Sequence, residues 1–155
     1  MKPNLWTHIT TQFVCDLESI HGPSHWKRVE RNGLFIAERN GAVLDVVRLF
    51  AWFHDSRRVN EDEDNGHGAR GADFAASLRG VWFDLSDEHF ALLYDACARH
   101  TDGKTSTDPT IGACWDADRL DLVRIGITPS ANFMSTTVGR ELTALPAEGA
   151  SLHLF

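Results

Sequence analysis

The chain has the length, composition and charge of a single globular domain. It contains 155 residues, of which 43% are hydrophobic and 24% are charged, and this composition excludes fibrous and intrinsically disordered classes. The formal net charge is −7, from 22 acidic and 15 basic residues, which argues against binding to nucleic acid polymers through their phosphates. We therefore expect one domain over residues 1–155, built around one hydrophobic core.

The sequence shows neither a membrane span nor a secretion signal. No stretch approaches the roughly 18 to 20 apolar residues that a span requires, and the amino-terminal residues lack the apolar centre of a signal peptide. These features predict a cytoplasmic protein without a membrane partner. Cys15, Cys97 and Cys114 are far apart and have apolar neighbours, which predicts reduced core residues rather than a disulfide or a zinc site.

Apolar residues repeat at intervals of three and four along most of the chain, which predicts an all-α bundle of about six to seven helices. The first helix is expected over residues 4–20. The second is expected over residues 23–40, where Gly41 stops it. A third, over residues 43–56, is apolar on nearly all sides, as is typical of the central buried helix of a bundle.

The second half of the chain predicts shorter helices separated by polar loops. An acidic loop over residues 60–66 precedes a helix whose small residues, Gly68 and Gly71 among them, allow close packing. Ser86 is a suitable cap for the next helix. The expected ranges are 67–79, 86–100, 110–126 and, at the end of the chain, about 134–145.

Histidines and aspartates lie where these helices begin or end. In chain order they are His25, His54 with Asp55, His67, His100, and Asp116 or Asp118. Taken singly, each is explained by a helix cap or a solvated surface position. As a set, they offer imidazole nitrogens and carboxylate oxygens without a thiolate, the ligands of manganese, iron, zinc, nickel or cobalt at catalytic centres. A buried carboxylate also needs a compensating partner, and a metal ion would supply one.

Three segments of the sequence, HGPSHWKRV, FAWFHDSRR and DADRLD, resemble the motifs of the HD-domain superfamily of metal-dependent phosphohydrolases. Proteins of that superfamily are all-helical and are named for a His-Asp doublet. The matching segments lie within residues 21–126, about two thirds of the chain. The resemblance implies that the metal ligands are His25, the doublet His54 and Asp55, and Asp118, with Asp116 as the alternative to Asp118. His54 and Asp55 would then form the catalytic pair.

The resemblance also implies a second metal ion. In the branches of the superfamily that bind two metals, one additional histidine begins the helix after the doublet and another ends the helix after that. His67 and His100 stand in those places, which favours a binuclear site bridged by Asp55 over a mononuclear one. The alternatives are a helix cap for His67 and a hydrogen-bond donor outside the metal site for His100.

Basic residues near the motifs are expected to hold the charge of a small phosphorylated metabolite or nucleotide. The candidates are Arg28, Arg57 or Arg58, Lys104 and Arg119. Arg119 is the strongest of them because it adjoins a predicted ligand. The alternative for each is a solvated surface base, which is the favoured interpretation of Lys104.

One position departs from the nucleotidase-like branch, which carries a glutamate three residues beyond the doublet. Arg58 stands there, which argues against simple transfer of that activity to this chain. Glu61, Asp62 or Asp64 in the acidic loop could replace the glutamate by folding back, although a solvated loop is the simpler interpretation. His21, in the loop before the first predicted ligand, either lines the cleft or is merely exposed.

Three functions are compatible with these features. The favoured one is a metal-dependent phosphohydrolase, either a phosphomonoesterase or a phosphodiesterase. The second is a mixed-valent di-iron oxygenase of the same fold, and the third is a non-catalytic sensor that binds a nucleotide or a metal. We expect a small phosphorylated substrate as the partner, together with a possible homodimer. The metal, one or two ions, is not specified by nitrogen and oxygen ligands alone.

Overall fold

The computed structural model describes residues 1–145, which form seven α-helices and two short 3₁₀ segments. The helices are α1 Leu5–Thr11, α2 Pro23–Asn40, α3 Leu44–Phe53, α4 His67–Leu78, α5 Asp87–Arg99, α6 Pro109–Leu120 and α7 Thr137–Thr143, and the 3₁₀ segments are Asp121–Ile125 and Ala131–Phe133. Within this range the only β-type pairing is an isolated bridge between Arg79 and Phe83. The predicted all-α class and number of helices are confirmed. Residues 146–155 of the predicted domain lie outside the described residues.

Helix α3 occupies the centre of the bundle. It contacts α1, α2, α4, α5 and α6, while α2 also packs along α6, and α4 packs mainly against α5. Its residues Val46, Phe50 and Phe53 are fully buried, as the all-round apolar pattern predicts. The chain therefore reaches the middle of the bundle just before His54 and Asp55. None of the helices in the described range is long and apolar enough to cross a membrane.

Most predicted helix ends are close to the observed ones, because local signals fix them. Helix α2 begins at Pro23 and ends before Gly41, whose positive φ of 79° suits glycine. Ser86 accepts a hydrogen bond from the His89 N–H and caps α5, as expected. Helices α3 and α6 are shorter than predicted. The doublet lies in the turn after α3, and α6 passes into a 3₁₀ segment over residues 121–125.

The predicted length of the first helix is wrong, because α1 ends at Thr11 and residues 12–22 form a loop. The Asp16 side chain accepts the Glu18 N–H at 2.8 Å, a local turn that competes with helix formation. Of the apolar residues that suggested a longer helix, Phe13 is buried, but 72% of Val14 and 51% of Leu17 is exposed. The loop leads through His21 directly into α2.

The face of α4 that carries small residues allows it to pack closely against the end of α3 and against α5. A Cβ on Gly68 would overlap the carbonyl oxygen of Cys97 in α5, and a Cβ on Gly71 would overlap that of Phe53 at the end of α3. The predicted close packing is therefore present, and it involves backbone rather than flexible side chains. As a result, the first residue of α4, His67, lies beside the residues that follow α3 and α5.

We expect Gly71→Ala to lower the free energy of unfolding by about 1–3 kcal/mol, because the added methyl group forces α4 away from the end of α3. Denaturant unfolding at equilibrium measures the change. The matched control is Ala69→Gly on the exposed side of the same helix, which loses only about 1 kcal/mol of helix propensity. If Gly71→Ala instead gained stability by that amount, the close contact would play no part.

Candidate metal centre

The six predicted metal ligands converge in one cluster. They come from the first turn of α2, the turn after α3, the first residue of α4, the residue after α5 and the last turn of α6, and they are His25, His54, Asp55, His67, His100 and Asp118. The four histidines and Asp55 are buried, whereas 20% of the Asp118 side chain is exposed. Their roles as ligands stay predictions, but the geometry allows a test of fit.

One group of four ligand atoms fits a single metal ion. The Nε2 atom of His25 lies 3.2 Å from Nε2 of His54 and 3.1 Å from Oδ1 of Asp118. The Oδ2 atom of Asp55 lies 3.5 Å from both imidazole nitrogens. Nitrogen and oxygen ligands at about 2.0–2.2 Å from a common ion are themselves about 3.0–3.5 Å apart. The observed separations have these values.

A second group shares Asp55 with the first. Its other carboxylate oxygen, Oδ1, lies 3.2 Å from Nε2 of His67 and 3.4 Å from Nε2 of His100. These two nitrogens are 3.0 Å from each other. Because each oxygen of Asp55 faces a different set of imidazoles, its carboxylate has the position of a bridge between two ions.

The histidine rings are turned so that their Nε2 lone pairs point into the cluster. At three of them Nδ1 faces backbone carbonyl oxygens: His54 those of Phe50 and Ala51, both at 3.1 Å, His67 that of Asp64 at 2.6 Å, and His100 that of Cys97 at 2.8 Å. A carbonyl oxygen only accepts, so Nδ1–H must donate. In the neutral ring Nε2 then carries a lone pair. Lone pairs held 3.0 Å apart need a cation between them, and the donor set therefore fits a metal ion.

Asp121 orients the remaining histidine and was missed in the sequence. The Nδ1–H of His25 donates to its Oδ2 at 2.7 Å, and Arg28 Nε donates to both of its oxygens, at 2.8 and 3.1 Å. Asp121 is 3% exposed. It is the third aspartate of DADRLD and lies three residues after Asp118. This spacing places two aspartates on one side of a helix, and it could have indicated Asp121 as a neighbour of the cluster.

The cluster shifts the proton affinity of its members. Burial alone would lower the pKa of His25, but its hydrogen bonds to Asp118, Asp121 and Asp55 raise that pKa to about 10. Burial alone would raise the pKa of Asp55, yet the neighbouring imidazoles, His54 foremost, hold it well below the ordinary carboxyl value. A metal ion that binds His25 near pH 7 therefore has to displace a proton.

The alternative ligand Asp116 does not lie in the cluster. Its carboxylate accepts the Ser135 N–H at 2.7 Å, and the N–H and hydroxyl of Thr136 at 2.8 and 2.7 Å. Residues two apart on a helix point in different directions, which separates Asp116 from Asp118. Asp116 thus fixes the segment before α7, and Asp118 is the aspartate that reaches the histidines.

Two of the predicted phosphate-binding residues also have structural partners, and their contacts with substrate stay predictions. Arg28 is bound to Asp121. Arg119 donates to the carbonyl oxygens of Gly103, Lys104 and Phe133, because the residue after a ligand on a helix is turned away from the site. Lys104 is exposed, and its predicted contact with substrate stays a prediction.

The predicted substrate residue Arg58 lies beside the cluster. Its Nε is 3.6 Å from Oδ1 of Asp55, and its substrate contact also stays a prediction. Of the acidic loop residues for which folding back was the alternative to a solvated loop, Asp64 is buried and paired with Arg70 at 2.5 Å, and Asp62 is exposed. Glu61 does turn back, and it accepts a hydrogen bond from His21 at 2.6 Å.

Comparison with known proteins identifies the fold. A crystal structure of a predicted HD superfamily hydrolase from an uncultured Thermotogales bacterium matches this chain with a TM-score of 0.69 and 24% sequence identity. The match covers 92% of this chain and 84% of that one. No family model and no curated protein matches the sequence. The resemblance stated from the three motifs is thus confirmed at the level of the fold. The His/Asp groups of this chain could hold a metal ion.

We expect Asp121→Asn to weaken metal binding about 10- to 100-fold, because the charged acceptor that orients His25 and raises its basicity is lost. Competition with a chromogenic chelator for Zn²⁺ measures the affinity. Asp95→Asn is the matched control, since Asp95 pairs with Arg99 on the exposed surface of α5 and should leave the affinity unchanged. Equal affinities of the Asp121 variant and the wild type would contradict the orienting role.

Metal affinity should rise with pH. His25 is protonated below its pKa of about 10, so an ion that binds it releases a proton, and the apparent affinity gains about tenfold per pH unit for each proton released. Calorimetric titration of Mn²⁺ between pH 6 and 8, in two buffers with different ionisation enthalpies, counts the protons. An affinity independent of pH would show that His25 keeps its proton and is not a ligand.

Proposed function

We propose that this chain, which has the HD-domain fold, is a metal-dependent phosphohydrolase that acts on a small phosphorylated metabolite or nucleotide. One observation carries the proposal. The two carboxylate oxygens of Asp55 face two separate groups of imidazole Nε2 atoms, all within 3.5 Å. This arrangement supports a pair of divalent ions bridged by one carboxylate, a centre that can hold both the attacking and the leaving oxygen of a phosphoryl group.

The charges of the cluster support an anionic substrate. Among the six proposed ligands only Asp55 and Asp118 carry negative charge, and the nearby charge of Asp121 is offset by Arg28. Two divalent ions would therefore leave the centre with an excess of positive charge, since bound cations are the largest local charges in such sites. A phosphate monoester or diester would neutralise that excess, whereas an uncharged substrate would not.

The residues of the chain hold the centre rigid and leave one side accessible. When bound, a divalent ion lowers the pKa of a coordinated water toward neutrality and polarises the phosphoryl oxygen under attack. His25, His54, Asp55 and Asp118 would hold one ion, and Asp55, His67 and His100 the other. The Phe50 ring stacks on the His54 imidazole with centroids 4.8 Å apart, which fixes the ring and excludes water behind it. Asp118 is the most exposed member, so substrate would approach on its side.

The di-iron oxygenase and the sensor use the same donor set and differ from the proposal in metal and reaction. Iron content together with oxygen consumption would identify the oxygenase. A centre that binds metal and nucleotide but turns over no substrate would identify the sensor. The proximity of Arg58 to Asp55 supports an anionic ligand, which a phosphohydrolase and a nucleotide sensor have in common and the oxygenase does not require.

The proposal predicts two metal ions per chain and hydrolysis of p-nitrophenyl phosphate or bis(p-nitrophenyl) phosphate. His100→Ala should retain one ion and lose at least about 100-fold in rate, because the second group then has only Asp55 and His67. The metal content is measured by elemental analysis of untagged protein purified without air or chelator. The hydrolysis rate is measured from the release of p-nitrophenol. His89→Ala, on the same helix but outside the cluster, is the control. Two bound irons with oxygen uptake and no ester hydrolysis would overturn the proposal.

A further inference from the structure

Two loops beside the cluster are connected by a short hydrogen bond between His21 and Glu61. Residues 12–22 lead into α2 and its proposed ligand His25, and residues 54–66 run from the doublet to His67. His21 Nδ1 and Glu61 Oε2 lie 2.6 Å apart and connect the two loops. The His21 side chain is only 13% exposed. Each loop continues into a cluster residue, the first into α2 with His25 and the second into His67, and Asp55 is close enough to raise the pKa of His21.

Arg58 fixes the position of Glu61 relative to Asp55. Its Nη1 donates to the carbonyl oxygens of Asn60 and Asp62, the residues on either side of Glu61, at 3.3 and 3.2 Å. Its Nε lies 3.6 Å from Oδ1 of Asp55. A single guanidinium group thus contacts both the bridging carboxylate and the backbone that presents Glu61.

Polar side chains of both loops surround Glu61 and Arg58. Among the described residues, the buried side-chain polar atoms without a hydrogen bond are Ser19 Oγ, Arg58 Nε and Glu61 Oε1. Glu61 nevertheless interacts with Ser19 as well as with His21, and both contacts lower its pKa. Arg58 Nε faces Oδ1 of Asp55 at 3.6 Å. Glu61 is therefore held by polar groups of both loops, and Arg58 connects it to Asp55.

The His21 ring is oriented so that Nε2 can accept a proton. The carboxylate of Glu61 accepts the Nδ1–H, which places the lone pair of the neutral ring on Nε2, and no described residue hydrogen-bonds to that atom. Burial lowers the pKa of His21 below its ordinary value although Glu61 and Asp55 act in the opposite direction and Arg58 in the same one. The pKa of Glu61 is also lowered, against its own burial, by hydrogen bonding with His21, so Glu61 stays ionised. His21 is therefore neutral at pH 7.

We propose that His21 is the general base of the hydrolysis and that Glu61 is the positioning residue that holds its imidazole. This inference rests on the proposed function. As water attacks, its oxygen forms a bond to phosphorus, and one of its protons moves to His21 Nε2. The bond from phosphorus to the leaving oxygen breaks, and its electron pair stays on that oxygen. The imidazolium then returns the proton to the leaving oxygen or to solvent, and the neutral ring is restored.

The test of the base compares His21→Asn with His8→Asn, using p-nitrophenyl phosphate and bis(p-nitrophenyl) phosphate. His8 is also partly buried and hydrogen-bonded, to Gln12, but lies in α1 against Trp82. We expect the kcat of His21→Asn to fall about 100- to 10,000-fold, with unchanged metal content and unfolding temperature. The acidic limb of the kcat/KM pH profile should also disappear. His8→Asn should match the wild type.

The positioning role is tested at Glu61. Glu61→Gln keeps an oxygen that accepts the Nδ1–H and should retain more activity than Glu61→Ala, while Asp62→Ala in the same loop should resemble the wild type. A second readout does not depend on turnover. In ¹⁵N-histidine spectra His21 should be the Nδ1–H tautomer in the wild type and shift toward Nε2–H in Glu61→Ala, because the acceptor is gone.

The outcomes separate the two proposals. If the wild type hydrolyses an ester and His21→Asn does so equally well, the base is overturned and the phosphohydrolase stands. Loss of metal together with activity in His21→Asn would also overturn the base, since His21 would then serve the metal centre. A wild type that hydrolyses no phosphate ester would overturn the proposed function and the base together.

Discussion

A buried carboxylate surrounded by imidazoles is the constraint on which the rest of this structure depends. Asp55 is 3% exposed, and its two oxygens face His25 and His54 on one side and His67 and His100 on the other. An isolated carboxylate in such a place would cost several kcal/mol or take up a proton. The ends of four helices meet at this point, and the hydrogen bonds and charges that they bring keep Asp55 ionised.

Helix ends are well suited to hold imidazoles because their last carbonyl oxygens have no partner within the helix. His54 directs Nδ1–H to carbonyls at the end of α3, and His100 does the same at the end of α5. The carbonyl of Phe50 also accepts the backbone N–H of His54, so it is at Ala51 and Cys97 that the imidazole satisfies a carbonyl at a helix end while Nε2 turns toward the cluster. This explains why α3 and α5 are followed by histidine, and why the orientation of these two rings depends on backbone, whereas the ring of His25 depends on the Asp121 side chain.

The three aspartates of the DADRLD segment have different structural roles. Asp116 accepts three hydrogen bonds from the segment before α7, Asp118 reaches the cluster, and Asp121 orients His25 while pairing with Arg28. Helix geometry separates Asp116 from Asp118, and the change to a 3₁₀ segment after Leu120 brings Asp121 beneath His25. The cluster is therefore supported on the side away from solvent, and loops form its accessible side.

The sequence by itself determined the all-α class and most helix ends, and its resemblance to the HD-domain superfamily implied which residues meet in the cluster. Apolar periodicity and helix caps act over a few neighbouring residues, so their effect on secondary structure does not depend on distant contacts. Only the tertiary structure ended α1 at Thr11, chose Asp118 over Asp116, gave Arg28 and Arg119 structural partners and paired His21 with Glu61. Each of these depends on which distant groups a side chain meets, and a pattern along one chain does not contain those distances.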